Sequence, residues 1–171
     1  GAARLPGEYR AGYYYSTADA AEIKDASQTD HKQGGWVVAK QQLTAHKGDV
    51  SRGLSGFVNL TVHDSDTNTV SDMQNIGLVY KGLMDSRPQD EIAVGVARIN
   101  INDDVNDANI TNNRVDVRGL QSEEYDAEIY YGIHATNWLT IRPNVQYIHH
   151  VGAYKNGENA WVGGIKLQTA F

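Results

Sequence analysis

A chain of 171 residues with 40% apolar side chains can build one core-bearing unit, and its net charge of −6, with no basic stripe to offset it, excludes a nucleic-acid partner. Mean hydropathy is −0.51, and no run approaches the roughly 18 apolar residues of a spanning helix. Cysteine is absent, which excludes a disulfide scaffold and thiolate metal sites.

Period-two alternation recurs along the chain, whereas helical periodicity does not. It predicts a first strand over Glu8–Thr17, with Tyr9, Ala11, Tyr13 and Tyr15 on one face and Glu8, Arg10, Tyr14 and Ser16 on the other. A second, Gly35–Thr44, sets Val37, Ala39 and Leu43 against Trp36, Lys40 and Gln42. The third, Ser55–His63, sets Val58, Leu60 and Val62 against Asn59, Thr61 and His63. In the fourth, Gln74–Gly82, Ile76, Leu78 and Tyr80 oppose Gly77, Val79 and Lys81.

The fifth, Glu91–Asn102, is ambiguous, because Ile92, Val94 and Val96 share parity with Arg98 and Asn100. Charge is taken to decide it, so that Ala93, Gly95, Ala97, Ile99 and Ile101 form the apolar side. The sixth, Glu123–Ala135, opposes Tyr125, Ala127, Ile129, Tyr131 and Ile133 to Asp126, Glu128, Tyr130 and His134. The seventh, Trp138–His149, opposes Leu139, Ile141, Val145 and Tyr147 to Thr140, Arg142, Asn144 and Gln146. The eighth, from Trp161 to Phe171, opposes Ile165 and Leu167 to Lys166 and Gln168.

These strands exceed the usual five or six residues of soluble sheets and approach the ~9–11 that a tilted strand needs to cross a bilayer. Proline is nearly absent, with 3 in the chain, as long sheets require. The connections after strands one, three, five and seven are long and polar, and those after four and six are shorter. Tyr9 and Tyr80 fall at one boundary of the apolar faces, and Tyr15, Tyr125, Tyr147 and Trp161 at the other, as an aromatic girdle does. The opposite faces carry Arg, Lys, Glu, Asp and Gln, which a packed core would not accept unpaired. The fold class is therefore all-β: a transmembrane antiparallel β-barrel with eight strands in this chain, apolar toward lipid and polar toward a lumen. From periodicity alone, a small closed eight-stranded barrel with a structural or adhesive role also fits.

The stretches "LPGEYRAGYYYST" (5–17), "SRPQDEIAVGVARI" (86–99) and "EIYYGIHATNWLTIRPNVQYIHHVGA" (128–153), with the terminal Phe171, together resemble the carbohydrate-selective porins of Gram-negative outer membranes, the OprB family. The resemblance implies a barrel of about 16 strands with a water-filled channel, of which residues 1–171 form the C-terminal half as a single segment. It also implies passive diffusion of sugars and small hydrophilic solutes, surroundings of outer-membrane lipid and lipopolysaccharide, a periplasmic C-terminus, and recognition of the last strand and Phe171 by the barrel-assembly machinery. "GAARLPGEYR" shows no apolar signal-peptide core, which fits a mature chain or part of a longer one.

A porin needs a polar constriction and groups that replace solute hydration; it needs neither a catalytic residue nor a cofactor. The inward candidates are Arg10, Lys40, Lys81, Arg98, Arg142 and Lys166, opposed by Asp126 and Glu128, with Gln146 beside them. Tyr14, Trp36 and Tyr130 are placed to stack on sugar faces, while Arg donates in pairs to hydroxyls. The same charges can instead pair across the wall and brace it. Members of the family often carry an acid after the alanine of the second strand, where this chain reads Ala39-Lys40-Gln41; that reversal is expected to shift selectivity between neutral and anionic solutes.

Other signals are weaker. "DSDTN" (64–68) opens like a calcium loop, but Thr69 and Asn75 stand where Gly and Glu are needed. The Asp-rich loop 103–109 offers a looser divalent site. "GLSGF" (53–57) has Phe57 where a nucleophile elbow needs glycine. His134 shares parity with Asp126 and Glu128, yet no spacing assembles a nucleophile, base and oxyanion site. His149 and His150, being adjacent, are expected to point to opposite faces at the rim.

Overall fold

The computed structural model describes residues 4–23, 25, 27–64, 66–102, 105–106, 123–154 and 156–171. Eight strands follow in chain order: β1 (Gly7–Ala21), β2 (Thr29–Gln42), β3 (Gly53–His63), β4 (Val70–Lys81), β5 (Glu91–Ile101), β6 (Glu123–Thr136), β7 (Leu139–His149) and β8 (Ala160–Thr169). A short 3-10 turn, Val151–Ala153, precedes β8. Each strand pairs antiparallel with the next, giving one sheet in the order β1 to β8. β1 and β8 are its two edges and do not pair with each other, so the small closed barrel is not what this chain forms.

Two ends can be distinguished. The connections 43–52, 82–90 and 137–138 lie at the near end, where β1 begins and β8 ends; β1, β3, β5 and β7 end, and β2, β4, β6 and β8 begin, at the far end. Their lengths do not sort the ends as the sequence suggests. The polar stretch after the first predicted strand is largely hairpin ladder, with Asp19 opposite His31, Ala20 opposite Asp30 and Ala21 opposite Thr29. The one after the third is shortened because β4 begins at Val70. Strand pairing continues there past the apolar band, so alternation fades while hydrogen bonding does not.

The lateral register carries the tilt. One row runs Tyr9, Ala39, Val58, Ile76, Val96, Ala127, Tyr147 and Trp161. It starts at the near end of β1 and finishes at the far end of β8, which is the stagger of a sheet rolled into barrel wall. The sheet is concave on one face. Across that face side chains reach over whole strands, as Arg142 of β7 does in meeting Glu91 of β5 over β6. On the other face they splay outward, leaving Ile76 61%, Ile165 72% and Trp161 75% exposed.

That convex face is apolar and closes with aromatic side chains at each boundary. Tyr147 and Trp161 lie 4.9 Å apart at the far end, and Trp138 stacks on Phe171 at 6.5 Å at the near end. A shallow apolar depression lies between them, lined by Ile76, Leu78, Val94, Val96, Ile129 and Val145.

Register corrects the reading of β5. Ile92 pairs with Tyr80, Val94 with Leu78 and Val96 with Ile76, so these residues form the convex face. Ala93, Gly95 and Ala97 are on the concave face, and Ala93 is only 4% exposed. The ring of Phe57 lies beside them and requires bare backbone at Gly77, the register partner of Gly95: a Cβ on Gly77 would stand 2.5 Å from Phe57 Cζ, whereas one on Gly95 would meet it in ordinary contact at 3.6 Å.

Two charged clamps fasten the near end. Arg52 donates to the Gly82 carbonyl at 2.5 Å and to Asp85 at 2.9 Å, joining 43–52 to 82–90. Lys47 hydrogen bonds the same carboxylate, and His46 bridges it to the Tyr80 hydroxyl. Lys47 first, then Arg52 and His46, hold Asp85 well below the usual carboxylate range. The second clamp centres on Asp90, 5% exposed. It accepts from Arg87 Nε at 2.8 Å and Nη2 at 3.1 Å, the Tyr131 hydroxyl at 2.9 Å and the His134 N–H at 2.9 Å. Burial alone would raise its pKa, but these donors outweigh it and hold the carboxyl below its ordinary range.

A lowered folded-state pKa means stability that is full above the unfolded value and lost as pH falls through the folded one. Asp90→Asn is expected to destabilise the folded full-length protein by about 2 kcal/mol at neutral pH and to weaken its loss of stability below about pH 4. The temperature at which SDS-gel migration changes from folded to unfolded, taken across pH, reads both effects; identical profiles for wild type and variant would contradict the clamp.

Candidate solute-facing wall

The concave face is built from the set of side chains that alternation assigns to water. Near the near end, Lys81 pairs in register with Glu91, and Glu91 with Gly132. The missing side chain of Gly132 admits Glu91, since a Cβ there would stand 2.9 Å from Glu91 Cγ. Glu91 Oε1 accepts from Arg142 Nη2 at 2.9 Å and from the Tyr130 hydroxyl at 3.0 Å. The Arg142 guanidinium lies 4.9 Å from the Tyr130 ring centroid, adding a cation–π contact. Lys166 is the register partner of Arg142 on β8.

Higher on the wall, Gln146 Nε2 donates to Glu128 Oε2 at 3.4 Å. Asp126 Oδ1 and Arg142 Nε are buried in the wall with no hydrogen-bond partner among the described residues. Along β1, Arg10 pairs with Glu8 at 2.9 Å. Trp36 lies flat over Gly12, where a Cβ would stand 2.5 Å from the indole. Tyr14 covers Gly34 in the same way and hydrogen bonds His63 Nδ1 at 2.8 Å. The glycines let both rings lie against the wall and leave each partly exposed. A flat, half-exposed ring suits the apolar face of a sugar, and a nearby guanidinium suits its hydroxyls.

Eleven of the residues singled out from sequence share this face: Arg10, Tyr14, Trp36, Lys40, Lys81, Asp126, Glu128, Tyr130, Arg142, Gln146 and Lys166. They form no single constellation. Arg142 and Tyr130 meet through Glu91, Glu128 meets Gln146, and the others are spread along the wall.

Arg98 belongs elsewhere. It pairs in register with Gln74 and Tyr125 on the convex face, near the far end. Its Nε and Nη2 donate to Glu123 Oε2 at 2.9 and 2.7 Å, and its guanidinium lies 5.9 Å from the Tyr125 ring centroid. At the edge of the apolar band, a long cation with a carboxylate partner is tolerated. The histidine expectation also fails: His150 adopts φ 56°, which ends the alternation and stacks its ring on His149 at 3.9 Å.

Glu91 was not picked out from sequence, because the reversed parity of the fifth strand hid it. The signal was the β-branched set Ile92, Val94 and Val96 beside the aliphatics of the fourth strand. Asp64 opens "DSDTN" by accepting from the Thr67 N–H at 3.3 Å and hydroxyl at 3.1 Å, a turn-capping role. The divalent site suggested for 103–109 lies largely outside the described residues.

Comparison with known proteins gives one consistent result. The family model described as "Carbohydrate-selective porin, OprB family" matches residues 1–171. The chain is 49% identical over 193 aligned positions to "Porin B" of Pseudomonas aeruginosa, covering 100% of this chain and 42% of that protein. It is 36% identical to the "Putative porin QuiX" of Acinetobacter baylyi, covering 98% of this chain and 41% of the relative. Among solved structures, it superposes on the high-pH structure of Pseudomonas putida OprB with a TM-score of 0.89 at 50% identity, over 98% of this chain and 45% of that one. Against the low-pH structure of the same protein the TM-score is 0.65 at 48% identity, over 98% and 42%. The chain thus spans less than half the length of these relatives. Its match over every residue and its likeness to a solved porin agree with the two-faced sheet: the chain belongs to the OprB family of carbohydrate-selective porins.

Proposed function

We propose that this chain is the C-terminal half of the wall of an outer-membrane porin that passes sugars and other small hydrophilic solutes by passive diffusion. The observation that carries the reading is a sheet with one apolar and one charged face and two unpaired edges. Open edges cannot persist in hydrocarbon, where unsatisfied N–H and C=O groups are costly, so further strands must join β1 and β8. The names of the matched relatives support sugar as the solute class, and the share of their length that the chain covers supports a larger barrel.

Solutes move along the concave wall by exchanging water for its side chains. Arg142, Arg10 and the lysines donate; Glu128 and Gln146 accept; Trp36, Tyr14 and Tyr130 offer ring faces. No bond is made or broken, which fits a channel rather than an enzyme.

In this reading the near end is periplasmic. The short connection 137–138 and the last strand lie there, and Phe171 stacked on Trp138 presents the end signal to the assembly machinery. The far-end aromatic rings meet the lipopolysaccharide leaflet.

In planar bilayers the full-length protein is expected to give a steady ionic conductance that falls on adding a neutral sugar, and Arg142→Ala is expected to weaken that block by about fivefold. Insertion without conductance would contradict the channel. Orientation has its own check: a peptide tag inserted in 150–159 is expected to bind antibody on intact cells, and a tag in 82–90 only after permeabilisation. The reverse pattern would invert the assignment.

A further inference from the structure

A groove of about 410 Å3 is sunk into the concave wall at the near end. Its walls are Glu8, Lys40, Gln42, Ser55, Lys81 and Glu91, and the connection 43–52 closes one side. That volume lies within the roughly 300–1,000 Å3 of small-ligand sites. The lining has an unequal charge balance. Glu8 is paired with Arg10 at 2.9 Å, Glu91 with Arg142 at 2.9 Å, and Arg52 on the closing side with Asp85 at 2.9 Å. Lys40 and Lys81 have no ion pair or hydrogen bond among the described residues. They stand on β2 and β4, with Ser55 of the intervening β3 between them. Each lysine stands in register beside a carboxylate, Lys40 by Glu8 and Lys81 by Glu91, but both carboxylates already hold an arginine, so the groove with its ion-pair partners carries an excess of positive charge.

We propose that this groove is a subsite for sugar acids, polyhydroxylated monocarboxylates, within the solute pathway proposed above, on which the assignment rests. Lys40 and Lys81 flank the carboxylate, each as a compact point charge with freely rotating donors. Glu8 and Glu91 use Oε1 for their arginine partners, so Oε2 of each can accept from a solute hydroxyl, and Ser55 can donate or accept beside them. The same two carboxylates favour a single negative charge, because a phosphate dianion would meet them at close range.

The test is residual current through the full-length porin in planar bilayers, with D-glucose, D-gluconate and glucose 6-phosphate as probes. Gluconate is expected to block at concentrations about tenfold below glucose, and more effectively than the phosphate. In Lys40→Gln/Lys81→Gln the gluconate-to-glucose ratio is expected to fall to about one, and in Lys40→Arg/Lys81→Arg to persist. A wild-type ratio of one, a ratio unchanged by the glutamine pair, or one lost equally in the arginine pair would overturn the subsite. Stronger block by the phosphate would overturn the monocarboxylate assignment. Glucose block without gluconate preference removes this inference and leaves the porin standing; conductance insensitive to every sugar removes both.

Discussion

The structure depends on one constraint, that backbone N–H and C=O groups surrounded by hydrocarbon must find partners within the sheet. A continuous ladder from β1 to β8 meets it for the six interior strands. Once pairing is continuous, alternation follows: every second side chain meets lipid and the rest meet the interior. A slip of one residue in any strand would carry lysines and carboxylates into lipid and aliphatics into water, so the register is held tightly. The edges β1 and β8 carry the same demand unmet, which makes further strands a physical requirement of the membrane reading.

The interior wall solves a second problem, how to be charged without collapsing on itself. Glycines opposite Trp36, Tyr14 and Phe57 let these rings lie flat, keeping the interior wide. Arg142, Glu91 and Tyr130 tie one another down across β6, and Arg10 ties Glu8. The unpaired lysines lie among these fixed partners, so the wall combines a braced frame with free charge. The near-end clamps around Asp85 and Asp90 hold the connections beneath that frame.

Much of this was legible in the residues. All eight strands were, because a bilayer imposes a simple two-solvent pattern on each. Three features escaped for physical reasons. Arg98 sits at the boundary of the apolar band, where a paired cation is tolerated, so using its charge to set the parity of β5 gave the wrong face. Ala93 and Gly95 looked lipid-facing because they are uncharged, yet register sets them on the concave face beside Phe57, whose ring needs the bare backbone of Gly77, a packing relation invisible to local pattern. The hairpin beyond Tyr15 continued where polar residues suggested a loop, since water on both faces removes alternation without removing hydrogen bonds. The candidate site was legible as a set of types and only partly as contacts: Glu91, which joins Arg142 to Tyr130, depended on the parity that had been misjudged.

The central claim is that alternate residues meet lipid and water. The chain has no cysteine, so single cysteines introduced into the full-length protein report cleanly. In lipid vesicles, cysteines at Lys40, Gln146 and Lys166 are expected to react with a charged thiosulfonate reagent. Those at Ile76, Val94, Val145 and Ile165 are expected to react only with a lipid-soluble maleimide. Charged reagent modifying Val94→Cys and Ile165→Cys as fast as Lys166→Cys would contradict the account.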